Sequence, residues 1–219
     1  MEAALTAQPR WRRRSEARPA EIVAAAHAVF AEKGFAAARL DDIAARAGIS
    51  KGALYLYFET KTDLFAAVVR DSVAPNIDGL RLLAQGFRGG FEELALLLFD
   101  RLAGVVGSAR LGAVAKMVIG ESRNFPDLAK LWHDGVVAPA EGLVTAMIEQ
   151  AQDRGEVRPG DPRLFALGLI SPVLLSALWT EVFVPVGGRP IDVAALLRQH
   201  AQTVLRGMRP EGEERGGHG

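Results

Sequence analysis

Residues Leu40 to Phe58 read LDDIAARAGISKGALYLYF, and this stretch decides the fold. Its first half, Asp41 to Ala47, places Ile43, Ala44 and Ala47 at helical spacing behind two acidic residues. Acids suit a helix start, because the free N–H groups there and the macrodipole favour negative charge. Gly48 then permits a left-handed backbone, Ile49 offers an apolar plug, and Ser50 can cap a second helix by accepting from an N–H in its first turn. On that second helix Leu54 and Phe58 share one side, while Lys51 and Tyr55, also four apart, share another beside Gly52. One face is apolar core; the other is cationic and phenolic.

Two short helices joined by a glycine-containing turn form a helix-turn-helix, whose second helix is narrow enough to enter the major groove of duplex DNA. Residues Gly34 to Phe65, above all AGISKGALYLYF and KTDLF, resemble the DNA-binding signature of the TetR family (TetR/AcrR type) of bacterial transcriptional regulators. With the preceding helix the resemblance covers the first third of the chain; beyond it the likeness is architectural. It implies an all-α fold, an N-terminal three-helix DNA-binding domain followed by a C-terminal helical bundle.

The resemblance also implies roles residue by residue. Lys51 matches the lysine near the start of the recognition helix, Gly52 the glycine that lets backbone approach DNA, and Tyr55 the tyrosine that reaches a phosphate. Tyr57 stands where an aromatic contacts the DNA backbone, Lys61 matches the lysine opening the fourth helix, and Ser50 is counted with this face. Ammonium, phenol and amide donors all suit phosphates, so these residues set register on the duplex more than they choose its sequence. Base choice falls to Ala53, Leu56, Lys51 and Arg46: lysine and arginine donate to guanine O6 and N7, and Ala53 or Leu56 touches a thymine methyl. The chain departs from the family pattern at Ala38 and Arg39, which replace hydroxyl residues that cap the next helix and bind phosphate. Arg39 then binds phosphate directly, with the cap passing to Asp41 or lost; the plainer alternative for Arg39 and Arg46 is a pair of solvated charges.

Length and composition fit this reading. A chain of 219 residues, 49% hydrophobic and 24% charged, has an ordinary globular composition and room for one large or two small domains. It has no cysteine, which excludes disulfides and thiolate metal sites. The start, MEAALTAQPRWRRR, lacks the order of a secretory signal, and no apolar run is read as a membrane span, so a cytoplasmic protein without a membrane partner is expected. The formal net charge is zero, yet Arg10, Arg12, Arg13, Arg14 and Arg18 cluster ahead of the first helix. A neutral chain can still carry a basic face.

Residues 1–15 read as a disordered basic arm, either a solubilising tail or a set of phosphate and minor-groove contacts that add affinity by counterion release. The DNA-binding domain is placed at 16–62: a helix from Ser15–Pro19, with Ile22, Ala26, Val29 and Phe30 on one stripe, ends at Gly34. Thr60 caps a fourth helix, which Pro75 kinks or ends. The effector and dimerisation domain is placed at 63–208, with helices at 91–106, 111–123, 128–154, 162–184 and 191–206 and bends at Pro139 and Pro172, before a disordered tail at 209–219.

Aromatic residues and methionines spaced along the later helices are mostly core, because a bundle needs them. Met117, Phe125, Trp132, Phe165 and Leu169 are also candidates to line a cavity for a small effector, with Glu121, His133 and Ser171 as polar groups that orient it. The stretch from Leu164 to Trp179 is free of charge, and a helix apolar on nearly every side must be covered on every side. That points to a two-fold homodimer through the last two helices, with Leu174, Leu178 and Trp179 on one and Leu196, Leu197, His200 and Val204 on the other. No nucleophile elbow, phosphate-cradling glycine loop, HExxH or paired catalytic carboxylates are present, and His27, His133, His200 and His218 are too scattered for a metal site. The chain is read as a non-enzymatic, cofactor-free repressor of a palindromic double-stranded operator, released by a small apolar effector; the alternatives are a helical small-molecule-binding or scaffold protein without specific DNA binding, or an enzyme using the C-terminal pocket.

Overall fold

The structure, a computed structural model, describes residues 10–72, 74–106 and 109–210. Trp11 and the N-terminal arginines have no described side chains, and the expected tail past Pro210, with His218, lies outside the described residues. Among the described residues there is no β-strand, and the chain forms two compact units that divide between Val68 and Val69. The division falls inside a helix, six residues beyond the boundary placed at 62/63.

The first unit holds α1 (Arg10–Ala37), α2 (Leu40–Arg46), α3 (Lys51–Tyr55) and the first turns of α4 (Lys61–Ser72). Helix α1 starts at Arg10, not near Ser15, because arginine is a strong helix former; Pro19 therefore lies inside it. Ile22, Ala26, Val29 and Phe30 are buried along its stripe. At Gly34 the backbone leaves the helix (φ 74°, ψ 169°) and swings Phe35 into the core. The Phe35 ring then lies 5.6 Å from that of Phe30 and 5.8 Å from that of Phe65, with Phe65 edge-on to both, the arrangement that ring quadrupoles favour. Ile43, Leu54 and Leu64 are fully buried and close the same core.

The turn between α2 and α3 follows from its residues. Gly48 takes φ +67°, its N–H donates to the Ala45 carbonyl (3.1 Å), and the Ile49 N–H donates to the Ala44 carbonyl (3.0 Å). This is a Schellman closure, and it needs a glycine at the left-handed position. Ser50 Oγ accepts from the Ala53 N–H at 3.2 Å and starts α3. Helix α3 is shorter than its sequence suggests, ending at Tyr55, so that Leu56 and Tyr57 stand in the turn that follows. Thr60 and Asp63 exchange bonds, the Asp63 N–H to Thr60 Oγ1 and the Thr60 N–H to Asp63 Oδ2, each 3.0 Å, capping α4.

The second unit continues with α5 (Ala74–Gly86), α6 (Phe91–Val106), α7 (Ala109–Glu121), α8 (Pro126–Trp132), α9 (Ala138–Asp153), α10 (Pro162–Leu178) and α11 (Val193–Met208). Helix α5 has no counterpart in the sequence reading; Pro75 does not stop it, because in a first turn the missing N–H is one that no helix bond would use. Helices α10 and α11 pack against each other, α11 also on α6, and α10 also on α7 and α9.

Three prolines leave traces in this bundle. Pro139 and Pro185 each follow a wide π turn, His133–Val137 and Trp179–Phe183, in which the residue just before the proline donates five residues back: Ala138 to the His133 carbonyl, Val184 to that of Trp179. Widening the turn relieves the clash between a proline ring and the carbonyl four residues before it. Pro172, inside α10, cannot donate to the Gly168 carbonyl. That oxygen instead accepts from Ser171 Oγ at 3.0 Å and from His200 Nε2, on α11, at 2.8 Å.

Helical structure from Pro162 to Val186 is long and apolar enough, by length and composition, to cross a bilayer, which corrects the expectation that no run qualifies. Its inner faces carry Ala166, Leu169, Ser176 and Ala177, all buried in the bundle.

Candidate nucleic-acid interface

Helix α3 has one buried side chain, Leu54, and turns everything else outward. Lys51, Gly52, Tyr55, Leu56 and Tyr57 are exposed along the helix and its following turn, with half-buried Ala53 and buried Leu54 between them. Leu56 is 84% exposed, an apolar side chain left in water beside two phenols. Nothing within 4 Å would meet a Cβ at Gly52, so its backbone lies open. Ser50 is spent on the cap described above, and its part in this face is to hold α3 in place.

Three of the basic residues are already engaged with carboxylates. Lys51 Nζ lies 2.9 Å from Asp41 Oδ1, which raises the lysine above its usual pKa through that hydrogen bond. Arg46 Nη2 lies 2.6 Å from Glu32 Oε1 on α1, holding the glutamate below the usual carboxylate range. Lys33 Nζ lies 2.8 Å from Asp42 Oδ2, and the same contact holds Asp42 low. Arg39 is exposed, sits at the N-cap of α2 and makes no side-chain cap there.

Lys61 has a different place from the one its resemblance implies. Its ammonium donates to the carbonyls of Phe35 (2.6 Å), Ala36 (3.1 Å) and Ala38 (3.0 Å), and sits 4.5 Å from the centre of the Phe35 ring. An ammonium has three hydrogens, so this lysine closes the end of α1 and has none left for a phosphate. Sequence reasoning missed this, as it missed the partners Asp41 and Glu32, because nothing local says which carbonyl or carboxylate the fold brings near.

In the second unit the candidate effector residues differ in burial. Met117, Trp132 and Leu169 are buried, and Glu121, Phe125 and Phe165 are half-buried. Phe165 is covered by the Arg158 guanidinium, 4.8 Å from the ring centre. His133 and Ser171 are exposed: His133 Nδ1 is 2.9 Å from Asp134, and Ser171 Oγ donates to the Gly168 carbonyl. A cleft of about 330 Å³ opens elsewhere, where the start of α6, the turn Gly155–Val157 and the end of α11 meet, and none of the eight residues lines it. Thr145 Oγ1, on α9, is buried without a hydrogen-bond partner, a signal the sequence does not carry.

The candidate dimer residues divide as well. Leu174 is exposed, in a row with Leu164, Leu167 and Leu175 along α10 at helical spacing, while Leu178, Leu196, His200 and Val204 are half-buried. Trp179 Nε1 donates to the Arg189 carbonyl at 2.9 Å, folding the indole onto the loop after α10. Leu197 is fully buried in the chain's own core, which removes it from any face open to a second copy.

Comparison with known proteins covers both units. Residues 22–68 match the family described as bacterial regulatory proteins, tetR family, and residues 89–199, half the chain, match the tetracyclin repressor-like C-terminal domain. The chain is 41% identical over 64 residues to the HTH-type transcriptional activator FasR of Mycolicibacterium smegmatis, covering 29% of each protein. It is 25% identical over 150 residues to the fatty acid metabolism regulator protein of Bacillus subtilis, covering 66% of this chain and 73% of that one. The crystal structure of FadR from Bacillus subtilis in complex with stearoyl-CoA superposes with a TM-score of 0.71 at 19% identity, covering 87% of this chain and 99% of that one, which shows a shared fold.

Proposed function

Because this chain belongs to the TetR family of bacterial transcriptional regulators, we propose that α3 and the turn after it enter the major groove of an operator as one half of a two-fold dimer. The observation that carries this is the exposed row Lys51, Gly52, Tyr55, Leu56 and Tyr57 on a helix whose opposite face is fixed by fully buried Leu54. In this reading Tyr55, Tyr57 and Arg39 donate to phosphates, the open backbone at Gly52 lets the helix sit deep, and Leu56 and Ala53 meet thymine methyls. Lys51 and Arg46 supply the donors for guanine O6 and N7.

A single α3 spans few base pairs, so affinity comes from two copies placed roughly 34 to 36 Å apart on successive turns of the duplex. The exposed leucines of α10, with Leu196, His200 and Val204 of α11 beside them, form the face that a second copy covers. The protein works in the cytoplasm as a repressor, and no catalytic role is assigned to it.

Its effector is a small, largely apolar molecule received in the second unit, and Thr145 offers a buried hydroxyl with no other partner. An acyl thioester is the first to try, because the regulator of similar fold is named in complex with stearoyl-CoA and a relative is named for fatty acid metabolism. The effector favours a conformation in which the two α3 helices no longer match the groove spacing, and so releases the DNA. The test is fluorescence anisotropy on a duplex selected from the source genome, titrated with stearoyl-CoA and with small apolar compounds that carry no thioester. Release at saturating ligand supports the reading. Ligands that raise the melting temperature but leave DNA affinity unchanged would sink the effector half of it.

A further inference from the structure

We infer that Asp41 and Glu32 are built-in competitors of DNA: by holding the two base-reading cations, Lys51 and Arg46, in the free protein, they set how sharply the operator is distinguished from bulk duplex. The inference rests on the interface reading above and deepens it.

Between residues 19 and 68 the chain carries six carboxylates and five basic side chains, an unusual balance for a surface meant to meet phosphates. Four of the five bases are engaged within the unit: Lys33 with Asp42, Arg46 with Glu32, Lys51 with Asp41, and Lys61 with three carbonyls. Arg39 is the fifth, and its side chain is exposed and outside these pairs. Both competitors come from outside α3, Glu32 from α1 and Asp41 from the first turn of α2. The shifts on Lys51 and Glu32 have these pairs as their largest cause.

The consequence follows from how DNA is bound. Counterion release rewards any lysine that reaches any phosphate, so a free Lys51 strengthens binding to every sequence alike. Paired to Asp41, it adds less to a loose complex. The pair is exposed, and exposed pairs are weak, so an operator that presents guanine acceptors at the right distance displaces the carboxylate. The acid therefore suppresses binding to random duplex more than binding to the operator.

The test measures affinity by anisotropy for a duplex recovered by selection and for a random-sequence duplex, across a salt series, with Asp41→Asn, Glu32→Gln, Lys51→Ala and Lys51→Ala/Asp41→Asn. Asp41→Asn is expected to raise random-duplex affinity about three- to ten-fold per dimer and to steepen the salt slope by about one to two. Operator affinity rises less, so the specificity ratio falls, and most of the gain disappears in the Lys51→Ala background. Glu32→Gln, on a different helix, repeats the pattern through Arg46. Unchanged or weaker random binding in both single variants overturns the inference, as does a gain that persists in full without Lys51. If Lys51→Ala alone leaves both affinities unchanged, the interface reading has failed, and this inference with it.

Discussion

Lys61 shows how one side chain changes its meaning once its neighbours are known. The resemblance makes it a phosphate contact, whereas its three hydrogens close the carbonyl end of α1 at Phe35, Ala36 and Ala38. Lys61→Met should therefore destabilise the folded protein, by about 1 to 3 kcal/mol from the unsatisfied carbonyls and lost charge-assisted bonds. Equilibrium denaturation checks this, and stability unchanged from wild type would return Lys61 to the DNA. Thr145 predicts the opposite sign. Its buried hydroxyl has no partner, so Thr145→Val should stabilise the free protein by about 1 kcal/mol, read from the same denaturation curves. Ser171 and His200 were unreadable in the same way as Lys61: they answer the Gly168 carbonyl that Pro172 leaves without a donor, a relation between four residues on two helices.

At the scale of elements, legibility follows locality. The turn from Gly48 to Ser50 is written in residues next to one another, so its left-handed glycine and its cap were readable from the sequence. The Thr60–Asp63 box is equally local, although only its Thr60 half was read. Helix α5 was not legible, because Pro75 looks like a stop until the helix boundary puts it in a first turn. Nor does Pro139 or Pro185 announce a π turn; the sequence says only that something must give. Packing between elements is the least local of all. Gly112 on α7 has room for no side chain, since a Cβ there would lie 2.7 Å from the Ala177 carbonyl oxygen of α10. That obstacle is backbone, so Gly112→Ala should separate the two helices and cost about 1 to 3 kcal/mol, visible as a lowered melting temperature. An unchanged melting temperature would mean that α7 and α10 are not held this closely.

The whole molecule is legible in class and silent in partners. An all-α chain with a helix-turn-helix followed by a bundle could be read from one signature and from helical periodicity, and both family matches agree with it. An α10 whose one charged residue is Arg163 announces that something covers it, but which leucines face out depends on how α10 sits on α7, α9 and α11. Leu164 is 63% exposed and Leu175 55% exposed, so charge at the C-terminal end of this row should prevent a second copy from docking. Leu174→Arg/Leu175→Arg should sediment as a monomer, fold as the wild type does and bind DNA far more weakly. A dimer in the variant would move the interface elsewhere. The central claim, that two copies of α3 read two half-sites, is tested most directly by selecting bound duplexes from a random-sequence pool with the wild-type protein and with Tyr55→Ala. The account predicts a two-fold symmetric sequence whose half-sites lie about one helical turn apart, or a multiple of it, enriched strongly by the wild type and weakly by the variant. A pool that stays random, or one enriched equally by both proteins, would contradict it.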